Sequence, residues 1–99
     1  MARYDVYPNP DRAGYLMDVQ ADLLEGLNTR VVVPLLPRAM APTPAERLNP
    51  TFPIEGSEVV MATQFLAAVP ASILDAPIAN LSGHGIDITN ALDMVFQGF

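Results

Sequence analysis

The stretch RVVVPLL, residues 30–36, is rich in valine and almost entirely apolar. Polar and apolar residues do not alternate along it, and this pattern is typical of a β-strand that is buried on both faces. Pro34 lies inside the stretch, and because proline has no backbone donor we expect it at a bulge or at the end of the strand. The stretch therefore predicts a fully buried strand.

Two hairpins are predicted around this strand. In the first, two alternating segments are separated by residues 8–14, where two prolines and a glycine favour a turn. In the second, a turn at Glu55 and Gly56 separates two further short segments. Residues 67–70 are predicted to be extended. The predicted hairpin strands are residues 3–7, 15–20, 51–54 and 58–63.

Apolar residues at helical spacing mark the end of the chain. They recur at i, i+3, i+4, i+7 and i+11, which places them on one stripe of an α-helix: Ile88, Ala91, Leu92, Val95 and Phe99. Asp87, or Ser82 further back, is a candidate cap for the start of this helix. Phe99 faces the core if the helix continues, and is free for a partner if Gly98 ends it.

Because the predicted strands precede a single terminal helix, we expect a mostly-β (α+β) fold, in which the helix covers an antiparallel sheet that curls into a small barrel. The 99 residues fit a single domain, residues 1–99. So small a domain buries a limited share of its surface, and its apolar fraction of 51% leaves side chains over for a homodimer interface.

The charge of the chain limits its partners. Eleven acidic residues stand against five arginines and no lysine, and the formal net charge is −6. Because binding to a phosphate backbone needs clustered cations, scattered arginines argue against direct nucleic-acid binding, whereas an acidic surface suits a basic protein. Arg3 and Asp5 interrupt the first residues, so we expect neither a signal peptide nor a membrane span, and a soluble, cytoplasmic protein.

No pattern in the chain predicts catalysis, a metal site or a cofactor. Cysteine is absent and His84 is the only histidine, so the usual zinc ligand sets cannot form. Asp18 and Asp22 are candidate paired carboxylates, but their place on a strand and its exit favours a solvated edge. Leu23 and Leu24 are adjacent, and because neighbouring side chains on a strand point in opposite directions we expect at least one to be exposed.

Four strings, taken in order, resemble the CcdB family, the plasmid-maintenance toxins that poison bacterial DNA gyrase. They are MDVQADLL (residues 17–24), RVVVPL (30–35), AAVPASIL (67–74) and ANLSGHGIDITNALDMVFQGF (79–99). The likeness covers almost the whole chain and is weakest over residues 8–14 and 37–50. It implies an SH3-like barrel of antiparallel strands with a C-terminal helix, assembled as a homodimer.

The resemblance also implies a function without catalytic residues. CcdB-like toxins bind the dimerisation region of GyrA, one of the two proteins that make up DNA gyrase, and trap the enzyme on cleaved DNA; an antitoxin of the CcdA type neutralises them. The residues implied to contact gyrase are Leu23, Leu24, Asp93, Phe96, Gln97, Gly98 and Phe99. The family usually ends in tryptophan, glycine and isoleucine, whereas this chain ends in Gln97, Gly98 and Phe99.

Two alternatives stay open beside a gyrase poison. Because Gln97 lacks the planar face of tryptophan, a degenerate toxin that only binds its antitoxin and helps to repress its own operon is one of them. The other is an endoribonuclease toxin of the MazF type, which shares the barrel. Such an enzyme needs cationic and acid–base groups around a phosphate, and the scattered arginines argue against it.

Overall fold

The valine-rich stretch forms the longest strand of an antiparallel sheet. The computed structural model describes residues 1–98 of the chain. Its strands are β1 (Asp5–Pro8), β2 (Tyr15–Asp18), β3 (Thr29–Pro37), β4 (Thr51–Ile54), β5 (Ser57–Met61), β6 (Ala67–Pro70) and β7 (Ala79–Asn80), and its helix is α1 (Gly85–Gln97). Short 3₁₀ turns at Asp22–Leu24, Arg38–Met40, Thr63–Phe65, Ala71–Ile73 and Ser82–His84 connect them.

The strands form a nearly closed barrel. Their order is β4-β5-β3-β2-β1-β7, with β6 also paired to β3, and every described pairing is antiparallel. Both predicted hairpins are present, β1 with β2 and β4 with β5. The predicted mostly-β barrel with one C-terminal helix is therefore confirmed.

Pro34 lies in the middle of β3, opposite Leu16 of β2 in a continuous register. The sequence predicted a bulge or an end of the strand, and the end is wrong. The other edge of β3 pairs first with β6, through residues 29–32, and then with β5, through residues 35–37. The Pro34 carbonyl faces this edge, because it accepts a hydrogen bond from the Ala62 N–H at 2.9 Å. Proline has no N–H to donate at this edge, but the position lies between the end of the β6 pairing and the start of the β5 pairing, so no ladder hydrogen bond is lost there.

The sheet buries side chains on both faces. The larger apolar cluster fills the barrel and includes Ile88 and Ala91 of α1, so the predicted helical stripe is confirmed over these positions, with Leu92 packed against it. A smaller cluster on the other face of the sheet consists of Tyr7, Leu16, Val32 and Leu74. Burial of β3 on both faces explains its valine content.

The start of α1 differs from the prediction, and Gly98 defines its end. His84 occupies the N-cap position without a side-chain cap, so neither Asp87 nor Ser82 caps the helix. Gly98 adopts φ 79° and donates its N–H to the Met94 carbonyl at 3.0 Å, which ends the helix at Gln97. The two alternatives for Phe99 concern a residue outside the described ones.

Candidate functional site

The C-terminal end of α1 presents a large aromatic side chain to solvent. Phe96 is 70% exposed, and Gln97 and Gly98 beside it are exposed as well. Asp93, one turn earlier, is half-buried. An exposed phenylalanine on a helix with a defined end is suited to fill an apolar pocket of a partner. The structure thus places Asp93, Phe96, Gln97 and Gly98 together on one short segment.

The electrostatics of this end of α1 favour a basic partner. The last turn of the helix contains no basic residue, while its last carbonyls carry the negative end of the helix dipole. Asp93 adds a carboxylate to the same region. A cation supplied by a partner would stabilise this end of the helix.

The second candidate surface is the leucine turn, residues 22–27, which follows β2. Its first three residues form a 3₁₀ turn, in which Leu23 is 93% exposed and Leu24 is 47% exposed. The expectation that at least one of them is exposed is confirmed, since both are. Leu27, which the sequence analysis did not single out, is 52% exposed. Leu27 was missed because a single leucine in a polar segment has no periodic pattern.

The two candidate surfaces are anchored to different parts of the fold. In the leucine turn, the Asp22 carboxylate accepts a hydrogen bond from the Arg3 N–H at 2.8 Å, and the Leu24 carbonyl accepts one from Gln20 Nε2 at 3.1 Å. Among residues 1–98, no hydrogen bond or ion pair joins this turn to residues 93–98. The predicted contact residues that the structure describes therefore lie on two segments that no hydrogen bond or ion pair connects.

A buried ion pair lies beside the leucine turn. Arg30 Nε donates to Asp18 Oδ2 at 2.7 Å, Arg30 Nη2 lies 2.6 Å from the same oxygen, and both side chains are buried. The expectation that Asp18 belongs to a solvated edge is wrong, because its face of β2 is covered by the smaller apolar cluster. Burial raises the pKa of the Asp18 carboxyl, while the N–H of Gln20 and the Arg30 guanidinium act in the opposite direction.

Not every polar atom of this buried cluster has a hydrogen-bond partner. Arg30 Nη1 and the Tyr7 hydroxyl have no hydrogen-bond partner within the described part of the chain. Burial first, and then the carboxylates of Asp5 and Asp18, raise the pKa of Tyr7. Because the Arg30 guanidinium is buried, it cannot contact a phosphate at the surface.

An apolar groove runs along the outer face of the sheet, next to the smaller cluster. Its volume is about 430 Å³, and it is lined by Leu16, Pro34, Leu36, Phe65, Val69 and Ile73, together with Asn9, Asp11 and Arg12 from the turn between β1 and β2. Phe65 is 53% exposed there. The sequence analysis missed this groove because its residues come from separate segments that only the sheet pairing brings together.

Comparison with known families identifies the chain. The model of the family described as "CcdB protein" matches residues 3–98, nearly the whole length. The chain belongs to the CcdB family. The resemblance of its four ordered strings is thereby confirmed.

A solved structure with a similar fold is described as an endoribonuclease in complex with its cognate antitoxin from a mycobacterial species. The match has a TM-score of 0.75 and covers 97% of this chain and 94% of that chain, at 14% sequence identity. At so low an identity, the likeness shows that the CcdB-family chain shares the barrel fold of that toxin, and nothing about its chemistry.

Three of the five arginines of this CcdB-family chain are engaged with other side chains. Arg30 is buried, Arg38 pairs with Glu58 at 2.6 Å, and the Arg3 guanidinium lies over the Tyr4 ring at 4.9 Å. His84 packs edge-on against Phe52, with 4.9 Å between the ring centroids. Within residues 1–98, no three His, Cys, Asp or Glu side chains are placed to share a metal ion, and no helix is long and apolar enough to cross a membrane.

Proposed function

We propose that this CcdB-family chain is the toxin of a type II toxin–antitoxin module, and that it acts in the cytoplasm by binding the GyrA protein of DNA gyrase and poisoning the topoisomerase. The observation that carries the proposal is Phe96, whose ring is exposed on the last turn of α1 in a chain of this family. The proposed contact residues are Leu23, Leu24, Asp93, Phe96, Gln97, Gly98 and Phe99.

The proposed mechanism is binding without catalysis. Phe96 fills an apolar pocket of gyrase, and Asp93 faces a cation of the partner from the negative end of α1. A DNA-binding protein such as gyrase has basic surfaces, to which a chain of formal net charge −6 is attracted. The burial of Arg30 and the pairing of Arg38 support a toxin that does not bind nucleic acid directly and is not a ribonuclease.

The proposed antitoxin partner is of the CcdA type, and we assign its disordered segment to the groove that Phe65 lines. An extended segment with apolar side chains fits a shallow apolar groove, and Arg12 at the groove offers a cation to its carboxylates. This groove is built from different residues than the end of α1. Antitoxin binding therefore does not require the gyrase-contacting side chains.

The mechanism is tested by incubating the protein with gyrase from its own host, ATP and a closed circular plasmid. A poison that traps cleaved complexes produces linear plasmid after denaturation and proteolysis, whereas an inhibitor of binding alone only slows supercoiling. Total RNA incubated with the same protein should stay intact. RNA cleavage without any effect on gyrase would favour the endoribonuclease alternative instead.

A homodimer at micromolar concentration is expected, because so small a barrel leaves large apolar side chains such as Leu23, Ile86 and Phe96 exposed, and an interface between two copies would bury some of this surface. Light scattering coupled to size exclusion should give the mass of two chains across a dilution series. A monomer mass throughout the series would contradict the dimer.

Replacing Gln97 with tryptophan should strengthen binding to a GyrA fragment. A ring stacked on a guanidinium adds about 0.5 to 2 kcal/mol, which lowers the dissociation constant by between about two-fold and thirty-fold. Gln97 is exposed, so the ring should not disturb the core. The dissociation constant is measured by calorimetric titration.

Gln97→Met is the matched control, since it adds apolar surface without a planar ring. Asp93→Ala should weaken binding with either residue at position 97. If Gln97→Trp abolishes a binding that the parent shows, the docking mode differs from that of the family. If neither form binds gyrase while both bind the antitoxin, the degenerate-toxin alternative holds.

A further inference from the structure

We infer that the leucine turn is a rigid docking element in which Leu27 is a third apolar contact beside Leu23 and Leu24, and that Gln20 is the residue that positions it. The inference rests on the proposed function, because the occupant is the same target, GyrA. It adds to that function a contact residue and a positioning residue that the family pattern does not supply.

The backbone of the turn is held by its own hydrogen bonds. The Leu24 N–H donates to the Ala21 carbonyl at 2.9 Å, the Glu25 N–H to the Asp22 carbonyl at 3.1 Å, and the Leu27 N–H to the Leu24 carbonyl at 3.1 Å. Leu24 and Leu27 are thereby fixed relative to each other. Three leucines are thus displayed on a short segment whose conformation is already formed before binding.

Gln20 connects this segment to the interior of the sheet. Its Nε2 donates to the Leu24 carbonyl at 3.1 Å, its Oε1 accepts from the Val31 N–H of β3 at 3.1 Å, and its backbone N–H donates to Asp18 Oδ1 at 2.9 Å. The side chain of Gln20 is itself buried. Both ends of its amide are therefore used, one on the turn and the other on the central strand.

A fixed turn reduces the entropy that binding would otherwise cost. Exposed leucines on a flexible loop lose backbone freedom when they are ordered at an interface, and a pre-formed turn avoids most of that loss. Leu23 is 93% exposed in the free chain, and Leu24 and Leu27 leave about half of their surface exposed. Their exposure on a rigid element is what a docking surface requires.

The charges around the turn indicate a basic target. Asp22 and Glu25 are exposed beside the leucines. Of the arginines near them, Arg30 is buried in its pair with Asp18. Arg3, whose N–H donates to the Asp22 carboxylate, has its guanidinium over the Tyr4 ring. Two copies of the turn placed against each other would bring four carboxylates together, which is unfavourable. The occupant is therefore an apolar cleft bordered by cations, and not a second copy of this chain.

The test compares Leu27→Ser with Ile86→Ser in calorimetric titrations against the dimerisation-region fragment of GyrA. Ile86 is the matched control, because it is an exposed apolar residue at the opposite end of α1 from Phe96. Leu27→Ser should weaken binding by about 5- to 30-fold, whereas Ile86→Ser should change it by less than about two-fold. Thermal unfolding of both variants should match that of the parent.

Gln20→Leu tests the positioning role. This variant should unfold cooperatively and bind more weakly. Relative to the parent, hydrogen exchange should become faster at the amides of Leu24, Glu25 and Leu27, and at the Val31 amide that loses its Gln20 acceptor, but not at the other amides of β3. In the Gln20→Leu background, where the leucine turn is no longer held in place, Leu27→Ser should weaken binding by less than it does in the parent. A merely structural role for Gln20 would leave the effect of Leu27→Ser unchanged.

The outcomes separate this inference from the proposed function. If Leu27→Ser binds as tightly as the parent while Phe96→Ser loses binding, the inference is overturned and the proposed function stands. If Leu27→Ser shifts the dimer towards monomer and leaves gyrase binding intact, the turn is an interface between copies, and the inference is overturned. A parent that does not bind the fragment overturns both.

Discussion

Replacing Phe96 with serine is expected to weaken binding to GyrA by about 30-fold or more and to abolish toxicity in cells. A buried aromatic anchor at an interface typically contributes about 2 to 4 kcal/mol, and about 1.4 kcal/mol corresponds to a factor of ten. In the free protein this ring is 70% exposed, so its loss removes little from the core. The dissociation constant from calorimetry and the plating efficiency of induced cells measure the effect.

Phe65→Ser is the matched control for this experiment. Phe65 is also an exposed phenylalanine, but it lines the groove that we assign to the antitoxin. It should keep gyrase binding and weaken antitoxin binding, so the two variants should show opposite losses. Equal loss of gyrase binding in both variants, with unchanged thermal unfolding, would mean that the end of α1 is not the contact surface.

Replacing Arg30 with methionine is expected to lower the free energy of unfolding by about 3 to 5 kcal/mol, because it leaves the Asp18 carboxylate buried without its partner. For a domain of this length, about 1 kcal/mol shifts the midpoint of thermal unfolding by about 4 to 8 °C. The midpoint should therefore fall by about 12 °C or more. Circular dichroism during heating measures it.

Two further variants separate the ion pair from a general loss of charge. Arg38→Met removes the exposed partner of Glu58 and should change stability by less than about 1 kcal/mol. The double variant Asp18→Leu, Arg30→Met should recover part of the loss, because it removes the buried carboxylate together with the guanidinium, whose Nη1 has no partner. The recovery should be incomplete, because Asp18→Leu also removes the acceptor of the Gln20 N–H. A double variant no more stable than Arg30→Met alone would show that the packing of Arg30, and not its charge, supports the fold.

The elements that the sequence predicts well are those with a local pattern. The valine content of β3, the Glu55–Gly56 turn between β4 and β5, and the helical spacing of Ile88 and Ala91 each depend on residues that are close in sequence. Glu55 and Gly56 both have positive φ, at 50° and 82°, as a tight hairpin turn requires. Such features can be inferred without knowledge of the sheet order.

The features that the sequence does not predict depend on strand register. Asp18 lies opposite Val32 in the β2–β3 pair, and only this register brings its carboxylate to Arg30, twelve residues along the chain. The groove lined by Leu16 and Phe65 likewise depends on strand neighbours that no local pattern specifies. Of the candidate contact residues, the sequence indicated the exposure of the leucines, whereas the end of α1 at Gln97 required the observed geometry of Gly98.

The central position of β3 has consequences for the rate at which the chain folds. β3 pairs with β2 before it in sequence, and with β5 and β6 after it. The two hairpins contain only local contacts and can form within about 10 μs. Their pairing with the rest of the sheet through β3 comes later, because β3 must first contact both hairpins. Barrels dominated by such distant pairings typically fold in milliseconds to seconds.

Docking of the hairpins onto β3 is therefore the expected slow step. A substitution that weakens β3, such as Val33→Ala in the barrel interior, should slow refolding as well as speed unfolding. A substitution at Phe96 should leave both rates unchanged. While β3 is unpaired, its valine-rich edges are open to other chains, so the interval before docking is when a newly made molecule is most exposed to aggregation.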